Sequence, residues 1–244
     1  MIATLARDYS PRYEISAHHH DRDQLIYGSR GVMTVQTSEG TWVVPTHRAV
    51  WVPAGIPHSI HMSGMVSMRT LYFMPGLARK LPKKCCVVNV SPLLRELIFS
   101  ACRYGNLQWN VPSERHLTQV ITDELRGAEA LALQLPHPTS SRVARIAEIL
   151  AKNPGDQRTL AQLCKLGFTG KRTIERLFQE DVGMTFSKWR QQLRLMHAMK
   201  LLAAGAKITH VALESGYSTP SAFISMFRKV LGTTPRSYFK GETR

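Results

Sequence analysis

The sequence predicts an α+β chain in two parts: an N-terminal half whose strands form a small antiparallel β-barrel or sandwich, followed by helices, and an all-α C-terminal half. Three observations carry this reading. Short runs rich in branched and aromatic residues, cut by Gly and Pro, continue to about Phe73; helical periodicity starts at Pro92; and beyond Thr159 one helical design is written twice. The divisions are a barrel over 1–80, a helical region over 91–127, a linker over 128–141 containing Pro136 and Pro138, and a tandem helix-turn-helix domain over 142–240.

Leu25 to Tyr27, Val32 to Gln36, Thr41 to Val44, Ala49 to Val52, Ser59 to Met62 and Ser67 to Phe73 read as strands, punctuated by Gly28, Gly31, Gly40, Pro45, Pro53-Ala54-Gly55 and Gly64. From Pro92 the period changes. Leu93, Leu94, Leu97, Ile98, Ala101 and Cys102 make one apolar stripe, and Leu117, Val120, Ile121 and Leu125 a second after Pro112-Ser113. These two helices either cover the barrel or pair across a dimer axis. Arg142 to Ala151 opens the last domain with Val143, Ile146, Ala147 and Leu150 inward.

A displacement of 49 positions lays Gly167-Phe168 on Gly216-Tyr217, Phe178 on Phe227, Val182-Gly183 on Leu231-Gly232, Thr185 on Thr234 and Trp189 on Tyr238. In the first copy a helix over Leu160 to Leu166 ends at Gly167, and a second runs from Lys171 to Gln179 with Ile174, Leu177 and Phe178 inward. In the second copy Ile208, Val211, Ala212 and Ser215 lead to Gly216, a residue suited to the left-handed end of a helix. Ser218-Thr219 then offers an N-cap, Pro220 fits the first turn, and Phe223, Met226 and Phe227 point inward. Phe186 to Ala204 joins the copies as one helix, with Trp189, Leu193, Met196, Met199 and Leu202 on a shared face. At ~1.5 Å per residue this rod spans ~27 Å, against a groove repeat of ~34 Å. The second helix of each copy can therefore enter successive major grooves, which makes duplex DNA the expected partner.

Charge agrees with that placement. Of the net +15, residues 139–244 hold 18 Lys/Arg and 7 Asp/Glu, net +11, and residues 1–138 hold 14 and 10, net +4. A basic half attracts nucleic acid or an anionic membrane. No apolar run approaches the ~20 residues of a span and no signal-peptide pattern opens the chain, so a cytoplasmic protein without membrane attachment is expected. Cys85, Cys86, Cys102 and Cys164 lack paired metal spacing and read as reduced thiols, with a redox sensor as the minor alternative.

His18, His20, Gln24 and Gly31 are spaced H-x-H-x3-Q-x6-G, and Pro53, Gly55 and His58 are spaced P-x-G-x2-H. This resembles the two signature motifs of the cupin barrel, in which two His and a Glu of the first motif and a His of the second bind a metal. Alternation along a strand puts His18 and His20 on one side, with His19 and His61 outward. The departures are Gln24 in place of Glu, His47 where the second motif opens with Gly, and Met62 where it closes with Asn. Three readings stay open: a divalent metal site, an effector pocket in which His18, His20, Gln24 and His58 bind an organic ligand, or a structural cluster. A cupin oxygenase or isomerase fused to a DNA module is the competing class. The missing Glu and the lack of a second acid/base constellation weigh against it.

Arg172-Thr173-Ile174-Glu175-Arg176-Leu177-Phe178, Gly183-Met184-Thr185-Phe186, Trp189-Arg190, Arg194-Leu195, Ala198, Leu201-Leu202, Gly216-Tyr217-Ser218, Ser221-Ala222-Phe223, Phe227 and Gly232-Thr233-Thr234-Pro235 together resemble the arabinose-regulator (AraC/XylS) family of bacterial transcription factors. The resemblance implies that the second helix of each pair reads the major groove, and the residue types agree. Arg172, Glu175 and Arg176 share the face opposite Ile174, Leu177 and Phe178, and can pair with guanine and cytosine edges. The corresponding face of the second copy carries Ser221, Ala222 and Ser225 behind Thr219, so it is expected to dock more than discriminate. Lys171, Arg228 and Lys229 are expected on phosphate. The whole reads as a DNA-binding transcription regulator, an activator rather than an enzyme, that responds to a small-molecule effector, with RNA polymerase and a second copy of the chain as further partners.

Overall fold

The computed structural model describes residues 1–77, 81–128, 130–131, 134–165 and 170–240, and the chain divides into two compact units, Met1–Gln134 and Leu135–Arg244. The first contains β1 (Ile2–Tyr9), β2 (Glu14–His18), β3 (Asp23–Gln36), β4 (Gly40–Val44), β5 (Arg48–Val52), β6 (His58–Phe73), β7 (Cys86–Asn89), α1 (Pro92–Tyr104), β8 (Asn106–Leu107), α2 (Pro112–Gly127) and β9 (Ala130–Leu131), with the short β10 (Gln134–Pro136) at the junction.

β3 and β6 organise this unit, because each is long enough to serve two layers. Gln24 to Tyr27 of β3 pair with β5, and Met33 to Gln36 pair with β4. The end of β6, Val66 to Phe73, pairs with β1, whereas its start pairs with β2. The change of partner falls where the β3–β6 register shifts between Gly28 and Val32, beside Gly31 (φ +75) and Gly64 (φ +75). A Cβ at Gly31 would lie 2.3 Å from the Met65 carbonyl oxygen, so only glycine permits this close crossing. The result is a jelly-roll-like pair of layers sharing two bent strands. The path β8-β1-β6-β3-β5-β7-β9 does not close on itself among the described residues, so of barrel and sandwich the layers take the open, sandwich-like form.

Other expectations shift with it. Ser59 to Met62 and Ser67 to Phe73 are one strand, since Gly64 bends the ladder without ending it. β1 and β2 were not expected: most of their side chains are exposed, so neither shows a clear buried alternation. β7 extends the sheet past residue 80, by pairing with β5.

α1 and α2 lie on the sheet face that presents Leu25, Tyr27, Trp51, Leu71 and Phe73, burying Leu94, Ile98, Ala101, Ile121 and Leu125 against it. Ser91 fixes both helices: its Oγ accepts from the Leu94 amide at 3.0 Å and donates to Glu124 at 2.8 Å. Leu93 and Val120, expected on the inward stripes, are 53% and 42% exposed, because Leu94 and Ile121 take the inward direction.

The second unit holds α3 (Ser141–Lys152), α4 (Leu160–Cys164), α5 (Lys171–Val182), α6 (Phe186–Ala203), α7 (Ile208–Glu214), α8 (Pro220–Leu231) and α9 (Pro235–Lys240). α5 and α8 begin and end 49 positions apart, and so do the starts of α6 and α9. Left-handed Gly183 and Gly232 close α5 and α8 alike. Phe178 meets Trp189 at a ring separation of 5.8 Å, and Phe227 meets Tyr238 at 5.7 Å. Each copy thus repeats its core pair as well as its chain path. Leu166, Gly167 and Phe168, read as the first copy's turn, lie outside the described residues, as do 129 and 132–133 of the expected linker.

α6 is more deeply held than a one-faced rod: Leu195 and Ala198 are buried together with Trp189, Leu193, Met196 and Met199. Asp156, 7% exposed, sits beneath it and accepts from the Arg158 Nε at 2.9 Å. Arg190 and Arg194 donate to the Asp156 carbonyl, Arg194 at 2.7 Å, so these cations tie the loop ahead of α4 to α6. Asp181 of α5 accepts from the Thr139 and Ser140 amides at 2.9 and 2.8 Å and caps α3 from outside.

Candidate nucleic-acid interface and sensor pocket

α5 and α8 form because both have an inward stripe and a clean stop, and the stripe decides what remains outside. Ile174 and Phe178, like Phe223 and Phe227, are fully buried. On the opposite faces Lys171, Arg172, Glu175 and Arg176 are exposed, and so are Thr219, Ser221, Ala222, Ser225, Arg228 and Lys229. Every side chain expected at the duplex is therefore accessible.

The two faces differ in electrostatics. On α5, Lys171 lies 3.6 Å from Glu175, and Arg176 Nη1 reaches both carboxylate oxygens of Glu180 at 2.8 Å. Arg172 has no ion-pair partner among the described residues. Glu180 is not among the residues expected at the duplex, although its i,i+4 spacing from Arg176 is visible in the sequence. On α8 the cations Arg228 and Lys229 stand in the last turn, where they also favour the helix dipole. Thr219 caps α8, accepting from the Ala222 amide at 3.2 Å, so its oxygen is already engaged within the helix.

A second constellation lies in the first unit. His18 stands opposite His58 in the β2–β6 ladder, and one ring nitrogen from each of His18, His20 and His58 lies within 4.8 Å of the others. The ring centroids are 4.4 Å apart for His18 and His58 and 4.8 Å apart for His18 and His20. Convergence does not come from strand alternation, because β2 ends at His18 and His20 follows it. It comes from the turn: the Gly55 amide donates to the His20 carbonyl at 2.8 Å, and the Ala54 amide to Asp23 at 2.9 Å, stapling the two motifs together. Gly55 is left-handed at φ +79, as that turn requires. His19 is exposed, and His61 pairs with Glu14 at 3.4 Å instead of standing free.

Gln24, 2% exposed, faces the same interior. Its cross-strand neighbours are Tyr72 and Val52, whereas Leu25 on the other face pairs with Leu71 and Trp51 under the helices. The Tyr72 ring meets His20 edge-on at 5.0 Å, a contact only the strand register reveals. His18 and His58 each direct Nδ1 at a carbonyl, Ser16 at 2.7 Å and Ile56 at 2.9 Å. Burial is the main cause holding His58 down at about 4, and it lowers His20 as well. The Nε2 atoms of His20 and His58 and the Oε1 of Gln24 are buried without a hydrogen-bond partner. Such atoms are costly to bury alone.

Comparison with known proteins follows this division. Residues 3–108 match a profile described as an AraC-like ligand binding domain, and residues 163–241 match a helix-turn-helix domain. The HTH-type transcriptional regulator NimR of Escherichia coli (strain K12) is 35% identical over 221 residues, which cover 91% of this chain and 81% of NimR. The HTH-type transcriptional regulator RipA of Corynebacterium glutamicum is 32% identical over 107 residues, which cover 44% of this chain and 32% of RipA. A solved structure of ToxT from Vibrio cholerae aligns over 100% of this chain and 99% of its own, with a TM-score of 0.42 and 12% identity.

Proposed function

Since the chain belongs to the AraC family of transcription regulators, with a ligand-binding domain ahead of a helix-turn-helix DNA-binding domain, we propose that α5 and α8 are its base-reading and docking helices and that the histidine pocket receives the effector. One observation carries this reading: two helices of identical length, each closed by a left-handed glycine and set 49 positions apart, bury an aromatic core and leave the opposite face exposed.

Arg172 and Arg176 are the base-reading donors, Glu175 an acceptor for cytosine, and Lys171, Arg228 and Lys229 the phosphate contacts. Ser221, Ala222 and Ser225 let α8 approach the groove closely, and Thr219 orders the turn that aims it. In the first unit His18, His20, Gln24 and His58 bind the effector, and the same four side chains are suited to a divalent cation. Activation through RNA polymerase in the cytoplasm, and pairing of two copies through the exposed edges of α1 and α2 at Leu93 and Val120, complete the reading. Footprinting on the DNA upstream of its own gene tests it. The expected result is protection of two adjacent major-groove segments on one side of the duplex. Uniform protection without sequence preference would overturn it.

A further inference from the structure

The two helix-turn-helix copies are joined a second time, apart from the rod α6. The loop between α3 and α4, residues 153–158, runs onto the turn of the second copy. Gln157 Nε2 donates to the Gly216 carbonyl at 2.9 Å. Gly155 lies against the end of α7, so closely that a Cβ there would stand 2.7 Å from the Glu214 carbonyl oxygen. Arg194 reaches from α6 into the same junction. It donates to the carbonyls of Pro154 at 3.2 Å and Asp156 at 2.7 Å, and its guanidinium stands 5.9 Å from the Tyr217 ring centroid. Gly216 leaves the room that this guanidinium takes, since a Cβ there would fall 2.6 Å from Nη2.

These contacts are not part of the design that each copy repeats. Moved by 49 positions, Gly155, Asp156 and Gln157 fall on Ala204, Gly205 and Ala206 ahead of α7, which carry no side-chain donor or acceptor. The second copy closes its own turn without such groups, so what the first copy's loop adds is a bond to its neighbour. The other end of α3 is held by Asp181 of α5. With 12 residues at ~1.5 Å each, α3 thus spans ~18 Å between the first reading helix and the turn that aims α8. Resting on the reading of α5 and α8 as the two DNA helices, we propose that α3 and residues 153–158 form a tie-bar that fixes the setting of α8 relative to α5. Gly155, Gln157 and Arg194 are its positioning residues, and the tie determines which spacing of DNA segments the chain accepts. One inserted base pair moves the second segment by ~3.4 Å and ~35° around the duplex. A tied pair of helices cannot follow that shift and loses the gain of simultaneous engagement, whereas a loosened pair follows it.

The test compares the full wild-type chain with Q157A, G155A and R194K on two duplexes, one with the footprinted segments at native spacing and one with a base pair inserted between them. In anisotropy titrations wild type should lose ~100-fold in affinity on insertion, and each variant should bind the native duplex more weakly but lose ~10-fold or less. Gly155 is not left-handed, so G155A perturbs the contact alone. R194K keeps the charge but not the fork that spans two carbonyls. A folding defect alone would lower both affinities together and leave their ratio intact. Spin labels placed at Glu180 and Val230 through a non-canonical amino acid report the helix setting in the free protein. Their distance distribution should broaden in Q157A and G155A. An unchanged distribution in both, or a wild-type loss on insertion that all three variants share, overturns the tie-bar. Wild type indifferent to the insertion overturns the two-helix reading instead, while the label distances still decide whether the helices are tied.

Discussion

Replacing Arg172 by Ala should weaken binding at a cognate site more than replacing Arg176, although both stand one turn apart on the same exposed face. A guanidinium forked onto guanine contributes ~1–3 kcal/mol, or ~5- to 150-fold in affinity. Arg172 brings this in full, because no carboxylate among the described residues holds it in the absence of DNA. Arg176 must first leave Glu180, whose two oxygens lie 2.8 Å from Nη1. An exposed pair at this spacing is worth ~0.3–0.5 kcal/mol, so its loss should cost about twofold less. The same competition predicts the opposite sign for Glu180→Gln, which should tighten binding about twofold at low salt. The assay is a fluorescence-anisotropy titration with a footprint-defined duplex and a scrambled control at several salt concentrations. If R172A and R176A both stay within twofold of wild type, base reading by α5 is wrong. Equal losses on both duplexes would demote these residues to phosphate contacts. Weaker binding by E180Q would refute the competition.

Further expectations follow from the fold. Phe178→Ala and Phe227→Ala fill equivalent positions, both fully buried, so each should cost ~3–5 kcal/mol in urea unfolding, and a large inequality would show that the copies do not share a core design. Gly31→Ala should prevent stable folding of the first unit, since the new Cβ would lie 2.3 Å from a backbone oxygen at a left-handed φ; a soluble variant with wild-type melting temperature would contradict the crossing. Lys229→Ala should reduce the slope of log affinity against log salt by ~1 while leaving sequence preference intact, as anisotropy at graded salt would show. The side-chain hydrogen bond from Arg158, followed against some cost of burial by its backbone amide and its charge, holds the Asp156 carboxyl below its ordinary 3.8. A depressed folded value means that this stabilisation is complete above that pH and is lost as pH falls through the folded value. Asp156→Asn should therefore flatten the acid limb of a stability curve followed by circular dichroism.

How much of this was visible in the sequence depended on whether the signal was local. The repeat was legible because burial at helical spacing and left-handed glycine stops are written along the chain, at Ile174, Phe178 and Gly183 and again at Phe223, Phe227 and Gly232. The histidine motifs were legible as spacings, but the reason they converge was not. It depends on the Gly55 amide reaching the His20 carbonyl, a contact between segments that alternation does not encode. Tyr72 was invisible for the same reason: its place beside His20 follows from register with Gln24. β1 and β2 escaped because their side chains are mostly exposed, and without a buried face a strand has no period to read.

The two copies also show what duplication leaves free to change. At each buried position of α5 its counterpart in α8 is apolar: Ile174 and Phe223, Phe178 and Phe227, Val182 and Leu231, and the half-buried Leu177 corresponds to Met226. At exposed positions charge is replaced: Arg172 by Ser221, Arg176 by Ser225, Glu180 by Lys229. Asp181 has an apolar counterpart, Val230, which is 45% exposed, because only the first copy has an α3 whose amides need an outside acceptor. Packing constrains one face of each helix and leaves the other to electrostatics, so a single scaffold presents two unlike surfaces. Half-sites contacted by such helices need not resemble each other, and exchanging Arg172 and Arg176 with Ser221 and Ser225 should exchange their preferences without unfolding either copy.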